Sequence, residues 1–221
     1  MVRETEPDRE SKANPEEIPV DPEEIARREA RNALRQFDTI VELIEGAIRS
    51  DKPFKLRPST ILDLNRVAIE GVNEFAGVYR PHPVEIIGSH HIPPQSKDVP
   101  VLVEEMCDYV SDHWESPPMH LAAYLMWRVN WIHPFSDGNG RTARAISYSI
   151  LSIRLGHRLP GVMTIPEQIS ENKIPYYQAL EQADAAWERG HVDVTALEQL
   201  LGDKLANQLA EILRQATRRQ N

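Results

Sequence analysis

The chain has 221 residues, a formal net charge of −9 and a single cysteine, Cys107. This length suits one domain with terminal segments, and the lone cysteine excludes an internal disulfide or a CxxC site. The negative charge argues against nucleic acid as a partner, and the apolar runs are too short to span a bilayer, so we expect a cytoplasmic protein without a membrane helix or secretory signal.

The first part of the chain divides into a tail and a helix. Residues 1–20 are polar and acidic and include three prolines, which predicts a disordered acidic tail. Asp21 and Pro22, followed by two glutamates, are typical of a helix start, with a capping carboxylate and a proline at the first helical position. Apolar residues then recur at helical spacing, so we expect an N-terminal helix within residues 21–57.

The remaining chain is mostly helical in pattern. A short β-prone run with prolines on both sides, within residues 79–100, predicts an exposed strand or hairpin. The fold class is therefore all-α with one β flap, in which residues 58–192 form the central domain and residues 193–221 a C-terminal helix. The predicted helices cover residues 59–75, 100–114, 119–132, 141–155, 175–187 and 194–218.

Residues 133–144, with the sequence HPFSDGNGRTAR, are the most informative stretch. The helix before them is apolar nearly all round, which predicts a buried helix, and Pro134 should end it at His133. Gly138 and Gly140 allow backbone conformations and close approaches that other residues forbid. The next helix begins near Arg141, and its free N–H groups would form an anion site.

Charged residues around this turn extend the anion site. Arg141 and Arg144 are three residues apart on the first helical turn, so both can reach one polyphosphate. Asp137 is a hard oxygen ligand suited to Mg²⁺ that is shared with phosphate oxygens. A base, a metal ligand and a phosphate cradle together indicate attack of a hydroxyl on a nucleotide phosphate.

This stretch resembles the HxFx(D/E)GNGRxxR motif of Fic-domain proteins at every specified position. The resemblance extends to residues 77–80 and 87–94, which are similar to the family's lead-in and flap, and to the pair Tyr176 and Tyr177. It implies the Fic fold, a helical bundle with a β-hairpin flap. It also implies an enzyme that transfers AMP from ATP to a Ser, Thr or Tyr hydroxyl of an unidentified target protein.

The resemblance also implies a role for each matching residue. His133 would be the catalytic base, and Asp137 would hold the Mg²⁺ cofactor. The flap would clamp the target segment in extended form by strand addition, and the tyrosine pair would border the adenine. The ATP-binding set is Asp137, Gly138, Asn139, Gly140, Arg141, Thr142, Ala143, Arg144, Tyr176 and Tyr177, and the flap set is Ile87, Gly88, Ser89, His90 and His91.

Glu45 is a candidate inhibitory residue. It shares a helix face with Phe37, Val41 and Ile48, and a buried carboxylate on an apolar stripe requires a cationic partner. In a branch of the Fic family, a glutamate in an (S/T)xxxE(G/N) helix pairs with the second motif arginine, here Arg144, and obstructs the γ-phosphate. Glu45 and the glycine after it match the end of that motif, whereas Val41 replaces its Ser/Thr. The alternative is a surface glutamate.

Several alternatives remain open from sequence alone. The same site could remove AMP from a modified protein as a phosphodiesterase, with Glu45 orienting water, or it could use another phosphate-containing donor. A different class is an inactive nucleotide-binding regulator. A purely structural interpretation of the motif is a glycine-rich turn between core helices, but such a turn needs no paired arginines. The C-terminal helix either packs on the domain or forms a contact in a homo-oligomer.

Overall fold

Eight α-helices and two short strands make up the regular structure of residues 11–12, 21–161 and 163–218, which this computed structural model describes. The all-α prediction is confirmed. A 3₁₀ turn at Ser96–Asp98 precedes the third helix. The elements are β1 (Ser11–Lys12), α1 (Pro22–Arg49), α2 (Pro58–Ile69), β2 (Glu85–Ile86), α3 (Val99–Asp112), α4 (Pro118–Ile132), α5 (Asn139–Leu155), α6 (Ile165–Glu171), α7 (Ile174–Glu188) and α8 (Thr195–Arg218).

The centre of the core is the pair α4 and α5. Helix α4 is only 15 residues long and apolar on nearly every face, and it is covered by α3, α5, α7 and α8. Helix α5 is covered by α1 and α2 on its other sides. Leu197 and Leu201 of α8 are buried, so the C-terminal helix is part of the same core. None of the described helices is both long and apolar enough to cross a membrane.

Helix α1 begins as predicted, but its buried face differs from the predicted one. The Asp21 carboxylate accepts a hydrogen bond from the Glu23 amide at 3.1 Å, with Pro22 at the first position. The predicted stripe faces solvent instead, since Phe37 is 44% exposed and Ile48 is 38% exposed. The face that packs on the domain mixes polar and apolar residues, namely Asn32, Gln36, Ile40 and Ile44.

The polar members of that face connect α1 to α2. Asn32 donates to the carbonyl of Glu70 at 2.8 Å, and Gln36 donates to the carbonyl of Leu64 at 3.0 Å. A buried amide costs free energy unless it is hydrogen-bonded, and here the partners are backbone carbonyls in the middle of α2 and at its C-cap. A search for a purely apolar stripe therefore misses this face.

Two helices differ from the sequence pattern. Helix α2 ends at Ile69 rather than near residue 75, because the chain turns at Gly71 with φ 71°. Helix α6 was not predicted. Its start is a capping box in which the Thr164 amide and hydroxyl both donate to the Glu167 carboxylate, at 2.6 and 2.9 Å, an arrangement that fixes a helix start.

The predicted flap contains a strand, β2, but among the described residues it does not form the β-hairpin that the resemblance implies. Its strand β2 pairs antiparallel with β1, with Ser11 opposite Ile86 and Lys12 opposite Glu85. The partner strand thus comes from the start of the chain and not from the flap's own return segment. Ser11 and Lys12 fall within the predicted disordered tail, so that prediction is wrong for these two residues, and the rest of residues 1–20 lies outside the described residues.

Candidate active site

His133 lies at the junction between α4 and the glycine-rich turn. Its amide donates to the Val129 carbonyl at 2.9 Å and ends α4. Its backbone is in the left-handed region, with φ 50° and ψ 58°, where His, Asn and Asp occur more often than other non-glycine residues. The following Pro134 disfavours continued right-handed helix. The prediction that the helix ends here and presents the imidazole is confirmed.

Arg80 holds this backbone in place. Its side chain is buried, and its Nε donates to the carbonyl of His133 at 2.7 Å. Its two terminal nitrogens donate to the carbonyls of His82 and Pro94, while its amide donates to the Pro134 carbonyl at 2.9 Å. One guanidinium therefore ties both ends of the flap segment to His133, a role that sequence reasoning did not assign.

The environment of the His133 ring keeps it neutral. Its Nδ1 lies 3.2 Å from the Asn130 carbonyl, which can only accept, so Nδ1 carries the proton and Nε2 is the basic nitrogen of the neutral ring. Burial lowers the pKa of His133 to about 3, and the charges of Arg80 and His91 act in the same direction. The neighbouring arginine that disfavours the charged ring is thus Arg80.

The turn after His133 is built around two side-chain amides. Asn139 accepts from the Phe135 amide at 2.9 Å and donates to the Phe135 carbonyl at 2.8 Å. Asn65 of α2 donates to the Asp137 carbonyl at 2.9 Å and accepts from the Gly77 amide at 3.0 Å. Both amides are buried. Asn139 therefore shapes the turn from inside, and Asn65 is a supporting residue that sequence reasoning missed.

Gly138 is required at the start of α5 for two reasons. Its backbone is in the left-handed region with φ 78°, a conformation that favours glycine. A Cβ at this position would also lie 2.8 Å from Cγ2 of Ile69 and 2.9 Å from Nδ2 of Asn65. The chain can thus turn sharply and point the first amides of α5 outward, where by helix geometry they have no intrahelical partner. The residues that were predicted to form an anion site lie at this N-terminus.

Charged side chains surround the same N-terminus. Arg141 donates to the Asp137 carboxylate at 2.9 Å and to the Glu29 carboxylate of α1 at 3.1 Å. The Arg144 guanidinium lies over Gly140, where an added Cβ would be 3.2 Å from its Nη1. Arg141 therefore lies on the first turn of α5, whereas Arg144 lies on the second, because α5 begins at Asn139, two residues earlier than predicted. Thr142 and Ala143 between them are buried and face the core.

Glu29 is a carboxylate of the site that the sequence did not reveal, and Glu45 is not near it. Glu45 pairs with Arg49 at 3.2 Å and with Arg158 beyond the end of α5 at 3.9 Å. Sixteen residues separate Glu29 from Glu45, which is about 24 Å along a helix. The predicted pairing of Glu45 with Arg144 is therefore wrong, because Glu45 lies near the opposite end of α5.

Among the described residues, no group of three or more His, Cys, Asp or Glu side chains could hold a metal ion alone. Asp137 is a single carboxylate beside an anion site. Mg²⁺ in nucleotide enzymes commonly keeps several waters and uses one or two carboxylates together with phosphate oxygens. The residues present thus fit a Mg²⁺ ion that arrives with a nucleotide and is held by Asp137 on the protein side.

The flap folds over the end of α4. The chain turns at Gly88, with φ 73° and the Ser89 amide donating to the Ile86 carbonyl at 3.2 Å. The His91 ring hydrogen-bonds to the Trp131 carbonyl at 2.7 Å and lies against the Trp131 ring. Ile87 is half-buried and His90 is exposed. Of the predicted flap residues, His91 is thus the one anchored beside the site.

The tyrosine pair divides into a buried and a partly exposed member. Tyr176 is 1% exposed, and its hydroxyl accepts from the Asn130 side chain at 2.6 Å. Because Asn130 also supplies the carbonyl that orients His133, Tyr176 supports the base and has no open face for an adenine ring. Tyr177 is half-buried and is the member with surface to offer a nucleotide.

The comparisons with known proteins identify the same region. The model of the Fic/DOC family matches residues 55–151. A protein adenylyltransferase Fic from Drosophila willistoni is 34% identical over 127 residues, which cover 56% of this chain and 24% of that protein. The chain thus spans about a quarter of the length of this curated relative.

Solved structures give the same fold. Fic-1 of C. elegans, residues 134–508, has a TM-score of 0.67 with 20% identity and covers 90% of this chain and 55% of that one. A Fic domain containing signaling protein from Bacteroides thetaiotaomicron also has a TM-score of 0.67, with 21% identity over 88% of this chain and 74% of that one. At these identities the likeness shows the fold alone.

Proposed function

Because this chain belongs to the Fic/DOC family, we propose that it is a protein adenylyltransferase, which transfers AMP from ATP to a Ser, Thr or Tyr hydroxyl of a target protein. The observation that carries the proposal is a neutral, oriented imidazole beside a helix N-terminus. The pKa of His133 is lowered to about 3 by burial, and its Nδ1 proton is held by Asn130.

His133 would act as the general base. In the transfer, the hydroxyl oxygen of the target forms a bond to the α-phosphorus of ATP, the bond to pyrophosphate breaks, and the hydroxyl proton passes to Nε2 of His133. A neutral imidazole can accept that proton throughout the physiological pH range. Arg80 and Asn130 would keep Nε2 directed at the hydroxyl, because they fix the backbone and the ring respectively.

The turn and the first turn of α5 would bind the phosphates. The amides that follow Gly138 point away from the core and complement negative charge at a helix N-terminus. Arg141 and Arg144 would add charge-assisted hydrogen bonds to phosphate oxygens. Asp137 would hold Mg²⁺, which when bound neutralises charge on the phosphates. Tyr177 would border the base, and the flap would hold the target segment in extended form.

The alternative reaction is removal of AMP from a modified protein. In that reaction Glu45 would orient the attacking water. Glu45 lies about 24 Å along α1 from Glu29, the residue that pairs with Arg141 on the first turn of α5, so no observation on Glu45 favours that reaction. The presence of a histidine at position 133 argues against an inactive regulator, because nucleotide binding alone needs no base. A cytoplasmic location stays a prediction, which rests on the single cysteine of the chain.

The test is incorporation of label from ATP carrying it at the α-phosphate. The purified full chain with Mg²⁺ would be incubated alone and with a cell extract as the source of acceptors, and products would be read by gel and intact mass. We expect labelled protein with the unchanged chain and none with His133→Ala. The matched control is His157→Ala, since His157 is exposed beyond α5. Label that survives His133→Ala, or that never appears, overturns the proposal.

A further inference from the structure

The flap strand already has a partner within this chain. β1 (Ser11–Lys12) lies antiparallel to β2 (Glu85–Ile86), and β1 and β2 are the two strands of this sheet. A target segment that docks on the flap by strand addition needs backbone N–H and C=O groups of the same strand. The chain's own N-terminal segment therefore occupies an edge of the strand on which the proposed target must dock.

The short ladder and the short chain connection to α1 indicate that β1 is a partner of β2 that another strand can displace. A two-residue ladder is weak in isolation, since even a longer two-stranded hairpin is marginal in water. However, only eight residues separate Lys12 from Asp21, where α1 is capped. A tether of this length gives a local concentration on the order of millimolar. The segment can thus remain docked although its intrinsic affinity is low, and a target of higher affinity can still replace it.

We propose that Ser11 and Lys12 are an intramolecular competitor for the target-binding edge of the flap. This inference rests on the proposed function, because it assumes that targets dock on β2. The competitor raises the concentration of target that is needed for modification, and it does not touch the base or the phosphate site. Its effect would therefore appear in target binding, whereas nucleotide binding would be unchanged.

The first test asks whether the segment docks in this register. Residues directly opposite in an antiparallel pair have Cα atoms about 4.5–5.5 Å apart, which is within the range that a disulfide spans. The full chain with Lys12→Cys and Glu85→Cys should therefore form an intramolecular disulfide under mild oxidation. Cys107 would not interfere, because it is buried, and burial raises the pKa of its thiol to about 12.

The control pair is Lys12→Cys with Ile92→Cys. Ile92 belongs to the same flap segment and is 86% exposed, but it does not lie opposite Lys12. We expect the Glu85 pair to close at least tenfold faster than the Ile92 pair, as followed by mass after thiol alkylation. Equal rates would mean that the segment is not docked in this register, and the inference would fail.

The second test asks whether docking excludes another strand. The probe is a fluorescent peptide with the sequence of residues 6–17, and its binding is measured by polarisation. The disulfide-locked chain should bind the probe at least tenfold more weakly than a full-length Ser11→Pro/Lys12→Pro variant, whose segment lacks the N–H groups of a ladder. A Ser11→Ala/Lys12→Ala variant keeps those groups and should remain close to the unchanged chain.

Equal probe affinity in the locked and proline variants would overturn the competition. Neither test requires catalysis, so both keep their meaning if the labelling experiment with His133→Ala rejects AMP transfer. Conversely, label that depends on His133, together with a flap pair that does not close, would retain the proposed function and remove only the competitor.

Discussion

At the scale of single residues, Arg141 is shared between two carboxylates before any phosphate arrives. It pairs with Asp137, which lies four residues earlier in the glycine-rich turn, and with Glu29 of α1. A phosphate that takes a hydrogen bond from Arg141 must compete with Glu29, and the negative charge of Glu29 also opposes the incoming nucleotide. The Arg141 side chain is about a quarter exposed and Glu29 nearly half exposed, so solvent screens both effects, and a pair of this kind contributes at most about 1 kcal/mol.

We therefore predict that Glu29→Gln strengthens ATP binding modestly, by up to about fivefold, since 1 kcal/mol corresponds to that ratio. Calorimetry of the full chain with Mg²⁺-ATP measures the change. Glu45→Gln is the matched control on the same helix, because its partners Arg49 and Arg158 are remote from the turn. A larger effect from Glu45 than from Glu29 would contradict the ion pairs seen here.

Residue-level predictions were possible where the chemistry is contiguous in the chain. Residues 133–144 contain the proposed base, the turn and both arginines, so their types and spacing are enough to predict a site there. Asn65, Arg80 and Glu29 reach the same site from 72, 53 and 112 residues away. A single sequence gives no signal for such contacts, because pairing across that distance depends on how the helices pack. The motif could be predicted, but the residues that hold it in place could not.

At the scale of elements, the turn between α4 and α5 positions the site through backbone geometry. Two glycines at the ends of α5 share a left-handed conformation, with φ 78° at Gly138 and 76° at Gly156. Their surroundings differ, because an added Cβ at Gly138 would meet Ile69 and Asn65 within 3 Å, whereas at Gly156 nothing lies within 4 Å. Alanine at Gly156 would therefore be destabilising through backbone strain alone. Alanine at Gly138 would add a steric clash to the same strain.

We predict that Gly156→Ala lowers the free energy of unfolding by about 1 kcal/mol, the usual penalty for this conformation. Gly138→Ala should cost about 1–3 kcal/mol more, since overpacking adds to the strain. It should also weaken ATP binding, because moving Asn65 releases the Asp137 carbonyl that Asn65 holds. Urea unfolding and calorimetry measure the two effects. Equal stability losses would mean that the turn tolerates a Cβ.

Element predictions from periodicity agree with the structure to within about two residues for α3, α4, α5, α7 and α8, and they are wrong for the end of α2 and for α6, which was not predicted. The apolar surface of α4 and the glycines after it predicted both helices to within about two residues. The buried face of α1 was mispredicted, because Asn32 and Gln36 are buried through hydrogen bonds to α2 that a hydrophobic pattern does not contain. The strand partner of the flap was mispredicted for a similar reason, since a two-residue ladder has no signature in sequence.

At the scale of the whole molecule, the packing of α4 against its neighbours keeps His133, the proposed base, away from water. His133 is buried at the end of the most apolar helix, under the flap, with Arg80 and His91 close enough to disfavour its charged form. The same desolvation that prepares a neutral base makes the folded state reluctant to bind a proton. Burial of His133 is therefore the cause both of its neutral ring and of the sensitivity of the fold to acid.

We predict a specific loss of stability in acid. The pKa of His133 is about 3 in the folded chain and about 6.5 when unfolded, so the unfolded state takes up the proton first, and the free energy of unfolding falls as pH falls from about 6.5 toward 3. Between pH 7 and 5 this contributes about 2 kcal/mol. His133→Asn keeps a residue that tolerates the left-handed conformation and does not titrate, so urea unfolding of this variant should lose about 2 kcal/mol less over that range. Parallel losses in both proteins would show that His133 is not held neutral by the fold.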